Sequence, residues 1–332
     1  MTSSNTILNK NEWPSFFSDI SINLDELQYN LTEKLSSADN LLTDLVKHIF
    51  KAGGKRLRPA LCFLVAKGTT GISSRHMVLA ELTELIHTAS LIHDDIIDSA
   101  NFRRGEKTIN NLWNDKLSVI YGDFLFAEAS IRLGILEKSE IVKIYAQVLS
   151  DLCAGEIDQF ARKFDTSISW DYYINKSKSK TASLFAAACK SSAILSELSK
   201  EDIYKANQFG EYLGIAFQIV DDVLDFTSTN KEMGKDVCSD MKQGLLTAPV
   251  IYALESQNEK AKILKVNIES RFLDEEVFKQ SVDLVFELNG IEKAKILANE
   301  YIEKAKESLD FIRDKNVSKS MLELCNSVVE KL

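Results

Sequence analysis

Residues 87–98 read His-Thr-Ala-Ser-Leu-Ile-His-Asp-Asp-Ile-Ile-Asp, and this stretch decides the fold class. On a helix, Asp94 and Asp98 are four residues apart and lie one above the other, and His87 falls two turns earlier on the same stripe. Apolar residues flank the acidic ones, which is not the pattern of a solvated run of charge. The spacing therefore predicts a long helix, set in an apolar environment, that presents two carboxylates on one face.

A second stretch repeats the same D-D-x-x-D spacing: residues 218–225 read Gln-Ile-Val-Asp-Asp-Val-Leu-Asp. Either cluster alone is as consistent with an ordinary acidic helix end or ion-pair partner as with a functional site. Two copies in apolar helices instead favour carboxylates that face each other across a cavity. Such an oxygen-only site suits Mg²⁺, which bridges carboxylates to substrate phosphates, and neither cluster has the His or Cys spacing of a zinc site.

Outside these clusters the chain contains few helix breakers, with 13 glycines and 3 prolines in 332 residues. These two residues make up about 5% of the chain against an average of about 12%, which argues against an all-β fold with its frequent turns. We predict an all-α fold in one domain, residues 21–332, after a loosely ordered segment, residues 1–20. The expected helices include residues 75–98, 170–190 and 201–227.

Charge and cysteine usage narrow the class of partner and the compartment. The 40 basic and 49 acidic residues give a net charge of −9, which argues against nonspecific nucleic-acid binding. No apolar stretch of about 18 residues lacks charges, so we predict no membrane span. The five cysteines are widely spaced and form no CxxC pair, and residues 1–10 have no apolar signal core; both features predict a cytoplasmic protein.

Basic residues cluster beside the two acidic stretches. Arginine suits bidentate binding of phosphate, and lysine provides a point charge. Each group alone is typical of a protein surface, but their placement favours phosphate binding. The groups are Gly54-Lys55-Arg56-Leu57-Arg58-Pro59, Arg103-Arg104-Gly105, Lys180-Thr181 and Gly234-Lys235-Asp236.

Together these segments resemble the trans-polyprenyl diphosphate synthases, in the isoprenyl diphosphate synthase family, over residues 22–332. The family motifs are G-G-K-R-x-R-P at 53–59, the first aspartate-rich motif with R-R-G at 94–105, G-E-x-x-Q at 155–159, K-T at 180–181, Q-x-x-D-D-x-x-D at 218–225 and G-K-x-x-x-x-D at 234–240. The resemblance implies the isoprenoid synthase fold, a single-domain bundle of antiparallel helices around a central cavity, in a homodimer. It also implies Mg²⁺-dependent condensation of isopentenyl diphosphate with an allylic diphosphate, with three Mg²⁺ ions at each site.

The resemblance assigns roles by matching positions. Isopentenyl diphosphate is expected to contact Lys55, Arg58, His87 and Arg104. The allylic diphosphate is expected to contact Arg103, Lys180, Thr181, Gln218 and Lys235. The Mg²⁺ ligands are expected to be Asp94, Asp98 and Asp221, supported by Asp95, Asp222 and Asp225, and these six aspartates with Lys180 form the catalytic set. One departure is Leu245, where many relatives have a lysine.

Product length is expected to depend on the residues before the first cluster, where an aromatic side chain gives short products in this family. Ala89 and Ser90 are both small, so the floor must lie deeper or on a facing helix, with Phe124 and Phe126 as candidates. We predict a long-chain product of solanesyl or octaprenyl type for a quinone side chain, and a shorter product from Ala89→Phe. The alternatives are a short-chain farnesyl or geranylgeranyl synthase, a class I terpene cyclase and a noncatalytic regulatory subunit.

Overall fold

The computed structural model describes residues 13–35, 40–51, 53–103, 105–228, 237–330 and 332. The helices of these residues are α1 (Ser21–Tyr29), α2 (Asn40–Lys51), α3 (Leu57–Lys67), α4 (Ser74–Ile97), α5 (Ile109–Leu112), α6 (Asp115–Ile135), α7 (Ser139–Ala161), α8 (Trp170–Ser177), α9 (Ser183–Leu195), α10 (Lys200–Thr227), α11 (Ser239–Lys242), α12 (Ala248–Leu254), α13 (Glu259–Glu269), α14 (Glu275–Glu287), α15 (Gly290–Glu307) and α16 (Lys315–Val329). Segments Ser15–Ile20 and Ser308–Phe311 are 3₁₀ turns, and Asn30–Lys34 and Lys178–Ala182 are π turns. The predicted all-α fold is confirmed.

Helices α4 and α10 form the centre of the bundle. Helix α4 packs on α3, α6 and α9, whereas α10 packs on α9 and α15. Both are buried along most of their length by apolar residues, and each carries one aspartate cluster near its C-terminal end. The two clusters therefore lie on the two longest helices of the described residues, each packed against several neighbours.

Two glycines bring α10 unusually close to the segment before and within α9. A Cβ atom on Gly210 would lie 2.5 Å from the Phe185 carbonyl oxygen, and one on Gly214 would lie 2.5 Å from the Ala182 Cα. Because Gln218 follows four residues later on the same face, this close approach brings it against Thr181. The packing of the core thus sets the distance between two predicted ligands.

The predicted helix 170–190 is interrupted. Helix α8 ends at Ser177, a π turn occupies Lys178–Ala182, and α9 begins at Ser183. A π turn widens the helix locally and changes the direction of its side chains. Lys180 and Thr181 lie within it, so their orientation could not be derived from a regular helical period.

A two-stranded hairpin, β1 (Phe102–Arg103) and β2 (Glu106–Lys107), follows α4. Gly105 has φ +82°, a left-handed conformation that glycine adopts without strain. Strands of two residues are too short to give a sequence signal, and the hairpin was not predicted. It returns Arg103 to the C-terminal end of α4.

Residues 13–20 of the N-terminal segment pack against the helical core. Residues 13–20, which the sequence placed in a loosely ordered segment, contain the 3₁₀ turn with buried Phe17 and Ile20. The Trp13 indole also donates a hydrogen bond to Asp25 at 2.8 Å. Among the described residues, no helix combines the length and apolarity needed to cross a membrane.

Candidate active site

A cavity of 450 Å³ opens between α4, α7, α10 and the π turn before α9. One part of its wall is polar and charged, with Arg58, His87, Asp94, Arg103, Glu156, Lys180, Thr181, Gln218 and Asp221. Its apolar part includes Leu91, Ile97, Phe126, Leu149, Leu152 and Phe217. The cavity therefore combines a site for charged groups with an apolar compartment, and it brings together most of the predicted ligands.

In the first cluster, two aspartates line cavities and the third is buried against an arginine. Asp94 lines the cavity of 450 Å³, and Asp98 lines an adjoining cavity of 100 Å³. Asp95 is buried and accepts hydrogen bonds from Arg103 Nε and Nη2, both at 2.7 Å. Arg103, predicted to bind the allylic diphosphate, thus also neutralises the middle aspartate of this cluster.

Burial changes the acidity of Asp94. Loss of hydration raises the pKa of Asp94 from its ordinary value of 3.8 to about 6, with Lys180 opposing the rise and Glu156 and Asp98 adding to it. A raised pKa means that the carboxylate form lacks full compensation in the protein alone. A cation beside Asp94 would supply that compensation.

The second cluster is more deeply built into the fold. Asp222 is 1% exposed and accepts hydrogen bonds from the Tyr173 hydroxyl at 2.6 Å, Gln218 Nε2 at 2.8 Å and the Ala248 backbone N–H at 3.2 Å. Burial raises the pKa of Asp222, and these donors oppose the rise. Only Asp221 of this cluster lines the cavity of 450 Å³.

The sequence spacing predicts that Asp225 shares a helix face with Asp221. In the structure, the Asp225 carboxylate accepts hydrogen bonds from the start of α11. It accepts hydrogen bonds from Ser239 N and Oγ at 3.2 Å and from Asp240 N at 3.3 Å. Burial raises its pKa, and the Asp240 carboxylate adds to the rise. Asp225 therefore holds the segment that follows residues 229–236.

The predicted allylic ligands on the π turn are paired within the cavity wall. Lys180 Nζ contacts Glu156 of α7 at 2.5 Å. Burial lowers the pKa of Lys180, but the Glu156 carboxylate more than offsets this effect and the net shift is upward. Thr181 donates a hydrogen bond to Gln218 Oε1 at 2.5 Å. A chain of hydrogen bonds therefore runs from Thr181 through Gln218 to Asp222.

Two predicted ligands of isopentenyl diphosphate, Arg58 and His87, lie on one side of the cavity. Arg58 Nη1 donates to His87 Nε2 at 3.0 Å, and its guanidinium lies 4.4 Å from the Phe185 ring centre. Lys55 lies at a neighbouring cavity of 180 Å³ that also contacts Asp221. Arg104 and Lys235 fall outside the described residues.

Three residues of this region were missing from the predicted site. Glu156 is the Lys180 partner, and the G-E-x-x-Q motif was a signal that could have identified it. Lys176 lines the cavity of 100 Å³ together with Leu245, so a lysine from α8 lies beside the position where many relatives carry one. Tyr145 hydrogen-bonds Thr83 with 2.5 Å between the oxygens.

Ala89 and Ser90, the residues expected to affect product length, lie in different environments. Ser90 lines the cavity, whereas Ala89 is fully buried in the core and is not among the lining residues. Of the two proposed floor residues, Phe126 lines the cavity and contacts His93 edge-on at 5.7 Å. Phe124 instead stacks on Tyr121 at 6.0 Å.

The donor set fits a hydrated hard cation better than a closed metal cage. Within the described ranges, no group of three or more His, Cys, Asp or Glu side chains could hold a metal ion by itself. Mg²⁺ usually keeps several waters and takes one or two carboxylates together with substrate phosphates. Asp94, Asp98 and Asp221, backed by Arg103 and Lys180, offer that arrangement.

The residues of this fold and site match a known family. Residues 39–285 match the family described as Polyprenyl synthetase. The chain belongs to the polyprenyl synthetase family. The resemblance found in the sequence motifs is thereby confirmed, and family membership makes the chain an enzyme of the prenyl-transferring class.

Three relatives show how far the similarity to this family extends. The chain is 42% identical over 287 residues to solanesyl-diphosphate synthase 2, chloroplastic, of Oryza sativa subsp. japonica, covering 85% of this chain and 70% of that protein. The heptaprenyl diphosphate synthase of Staphylococcus aureus has 30% identity and a TM-score of 0.89, over 94% of this chain and 98% of that one. A polyprenyl synthase of Caulobacter crescentus, complexed with calcium and isoprenyl diphosphate, has 28% identity and a TM-score of 0.88, over 95% and 96% of the two chains.

Proposed function

We propose that this protein extends an allylic diphosphate with isopentenyl diphosphate units and releases a long-chain all-trans polyprenyl diphosphate. The observation that carries the proposal is the cavity of 450 Å³, in which carboxylates from α4, α7 and α10 and cations from α3, β1 and the π turn adjoin an apolar wall. A diphosphate with an isoprenoid tail has the same division into a charged head and an apolar chain. The similarity to a solanesyl and a heptaprenyl diphosphate synthase supports the long-chain class.

The reaction breaks the C1–O bond of the allylic diphosphate, and the electron pair leaves with the diphosphate. The double bond of isopentenyl diphosphate then forms a C–C bond to C1, and a proton is lost to the departing diphosphate. Asp94, Asp98 and Asp221 would hold Mg²⁺, expected as three ions, which when bound stabilises the charge on the leaving group. Lys180, Thr181, Gln218 and Arg103 bind and orient the same diphosphate.

The second substrate binds at the other side of the cavity. Arg58 and His87 form one contact surface for its diphosphate because their side chains are joined at 3.0 Å. Lys55 supplies a further charge, and Arg104 completes the expected set. The apolar wall of the cavity excludes water from the reacting carbons, which protects the carbocation from hydrolysis.

The tail of the product is proposed to grow along α4 away from Asp94. Ser90 leaves this path open, and Thr83 lies about 16 Å along the helix from Asp94, at 1.5 Å per residue. Tyr145 of α7 closes the space between the two helices there through its hydrogen bond to Thr83. We therefore place the first floor at Thr83–Tyr145, deeper than Phe126.

The decisive experiment is a product assay with the purified protein. Labelled isopentenyl diphosphate and an allylic primer are incubated with Mg²⁺ or with a chelator, and the products are separated by chain length. We expect long-chain products that require Mg²⁺; a product limited to farnesyl or geranylgeranyl diphosphate would favour the short-chain alternative, and no turnover would favour a regulatory subunit. A quinone role and a cytoplasmic location stay predictions.

Variants on the path refine the same assay. Ser90→Phe should shorten the product because the new ring enters the cavity, and Tyr145→Ala should lengthen it because the floor is removed. Ala89→Phe was the variant predicted from sequence, but Ala89 lies in the core, so Ser90 is the better test. An unchanged product distribution in both Ser90→Phe and Tyr145→Ala would exclude this path.

A homodimer is part of the proposal. Helices α6 and α7 expose large apolar side chains, including Ile120, Ile131, Ile157 and Phe160 at 58–73% exposure. Large apolar side chains exposed on two helices that contact each other favour a protein interface there. Sedimentation of the pure protein at micromolar concentration tests it, and a monomer throughout would contradict it.

A further inference from the structure

Arg56 stands between two residues expected to bind isopentenyl diphosphate, Lys55 and Arg58, yet its own side chain is turned into the protein. It is 5% exposed. Its backbone has φ +46° and ψ +36° at the start of α3, a left-handed conformation that is unfavourable for a residue with a side chain. Such strain persists where the surroundings over-determine it.

The guanidinium of Arg56 is held by three separate elements. Its Nε and Nη2 donate to Gln28 Oε1 of α1 at 3.2 and 3.0 Å, and Nη2 also donates to the Phe50 carbonyl of α2 at 3.0 Å. Its Nη1 donates to the carboxylate of Glu84, which is buried in α4. A rigid planar fork with five donors is suited to such a junction, whereas lysine is not.

The clamp is next to the binding residues. Glu84 precedes His87 by three residues on α4, so the two side chains share one face of the helix. Arg56 contacts Glu84, and Arg58 contacts His87. Residues 53–58 are thus attached to α4 at two points one turn apart, and Arg56 and Glu84 line the small cavity that His87 and Arg103 also line.

We propose that Arg56 is a positioning residue for isopentenyl diphosphate: by clamping residues 53–58 to α1, α2 and α4, it fixes Lys55 and Arg58 where they meet the diphosphate. Arg56 itself does not touch the substrate. This inference rests on the proposed function, because it concerns the site of the second substrate.

The chain provides a matched control in another buried ion pair. Arg132 of α6 contacts Glu81 at 2.9 Å, and Glu81 precedes Glu84 by three residues on α4. Glu81 also accepts a hydrogen bond from Asn30 at 2.6 Å. This pair joins the same helix to its neighbours but has no contact with residues 53–58 among those the structure describes. Replacing this pair therefore shows the effect of losing a buried ion pair on α4 without disturbing residues 53–58.

The test compares two double variants, R56M/E84M and R132M/E81M, in each of which a buried arginine and its buried glutamate partner are both replaced; Glu128, which also contacts Arg132, is 25% exposed and keeps its access to water. Replacing both partners avoids leaving one charge buried alone, which is the main cause of misfolding in such variants. For each protein, KM is measured for isopentenyl diphosphate and for the allylic diphosphate, with thermal unfolding as the measure of folding. Arg56→Lys is the second test, since it keeps the charge beside Glu84 but loses the fork.

We expect R56M/E84M to raise the KM for isopentenyl diphosphate by about tenfold or more, with the allylic KM within about twofold of wild type, and Arg56→Lys to give a smaller rise. R132M/E81M should alter neither KM. An unchanged KM for isopentenyl diphosphate in R56M/E84M and Arg56→Lys, or equal rises in both KM values, would overturn the inference while leaving the proposed function intact. Absence of turnover by the wild-type protein would instead overturn the proposed function, and this inference with it.

Discussion

The two aspartate clusters have the same spacing and nearly the same apolar neighbours, but they differ in how their carboxylates are used. In the first, Asp94 and Asp98 line cavities, and Asp95 is neutralised by Arg103. In the second, Asp221 lines the main cavity, while Asp222 and Asp225 accept hydrogen bonds from neighbouring segments. The same spacing therefore places Asp94 and Asp98 of α4 at cavities, whereas Asp222 and Asp225 of α10 are held by hydrogen bonds from neighbouring segments, although Asp222 also lines the cavity of 100 Å³.

The difference follows from what each helix end meets. Helix α4 ends at Ile97 with Asp98 as its C-cap, and the hairpin β1–β2 that follows contacts this end through Arg103 and Asp95. The C-terminal part of helix α10 instead packs beside α8, α11 and α12, which donate hydrogen bonds to its carboxylates. The contrast leads to three predictions, in order of decreasing effect.

The largest effect is expected from Asp94→Asn. Loss of a carboxylate at the charged end of the cavity should lower kcat/KM by at least about a hundredfold, comparable to the loss of a group that stabilises a transition state. The free energy of unfolding should be unchanged or higher, because a partly buried charge is removed. Steady-state kinetics and urea unfolding measure both quantities; activity within tenfold of wild type would contradict the role.

For Asp222→Asn we expect the main effect on the free energy of unfolding rather than on kcat/KM. The amide cannot accept all the bonds that the carboxylate accepts from Tyr173, Gln218 and Ala248. We expect the free energy of unfolding to fall by about 1–3 kcal/mol, and Tyr173→Phe, which removes one of these bonds, to cost less. A stability equal to wild type for Asp222→Asn would show that its hydrogen bonds are not structural.

The smallest effect concerns pH in the absence of divalent cations. The pKa of Asp94 is raised from 3.8 to about 6 by burial, so the folded protein binds this proton more tightly than the unfolded chain. Its contribution to stability therefore increases as the pH falls from above 6 towards 3.8. Subtracting the unfolding free energies of Asp94→Asn from those of wild type across this range isolates the contribution. Saturating Mg²⁺ with a diphosphate should abolish the trend, and a difference that is independent of pH without metal would refute the shift.

Much of the fold was accessible from local pattern. The scarcity of glycine and proline and the apolar period around each cluster predicted long helices, and α4 and α10 were found where they were expected. The π turn at Lys178–Ala182 was not, since no residue there breaks the helical pattern, and the turn depends on how α8 and α9 pack. The hairpin carrying Arg103 was missed because two-residue strands leave no periodic signal.

The candidate site was likewise predictable from the sequence only in part. The motifs identified which aspartates and cations to consider, and most of those that the structure describes lie at a common cavity. They could not distinguish Asp94 from Asp222, which occupy clusters of the same spacing, or Ser90 from Ala89, which are adjacent in the chain, because the members of each pair differ in what surrounds them in the fold. The partners Glu156, Tyr145 and Glu84 come from other helices, and a single sequence does not show which residues meet across a core.

The sequence by itself determined the all-α class, the family and the two acidic stretches, since these depend on residue types at short, fixed spacings. Only the tertiary structure decided which carboxylates reach a cavity, that Ser90 rather than Ala89 lines the main one, and why Arg56 turns inward. Those properties depend on burial and on contacts between residues far apart in the chain, and both arise when α4 and α10 are packed against their neighbours.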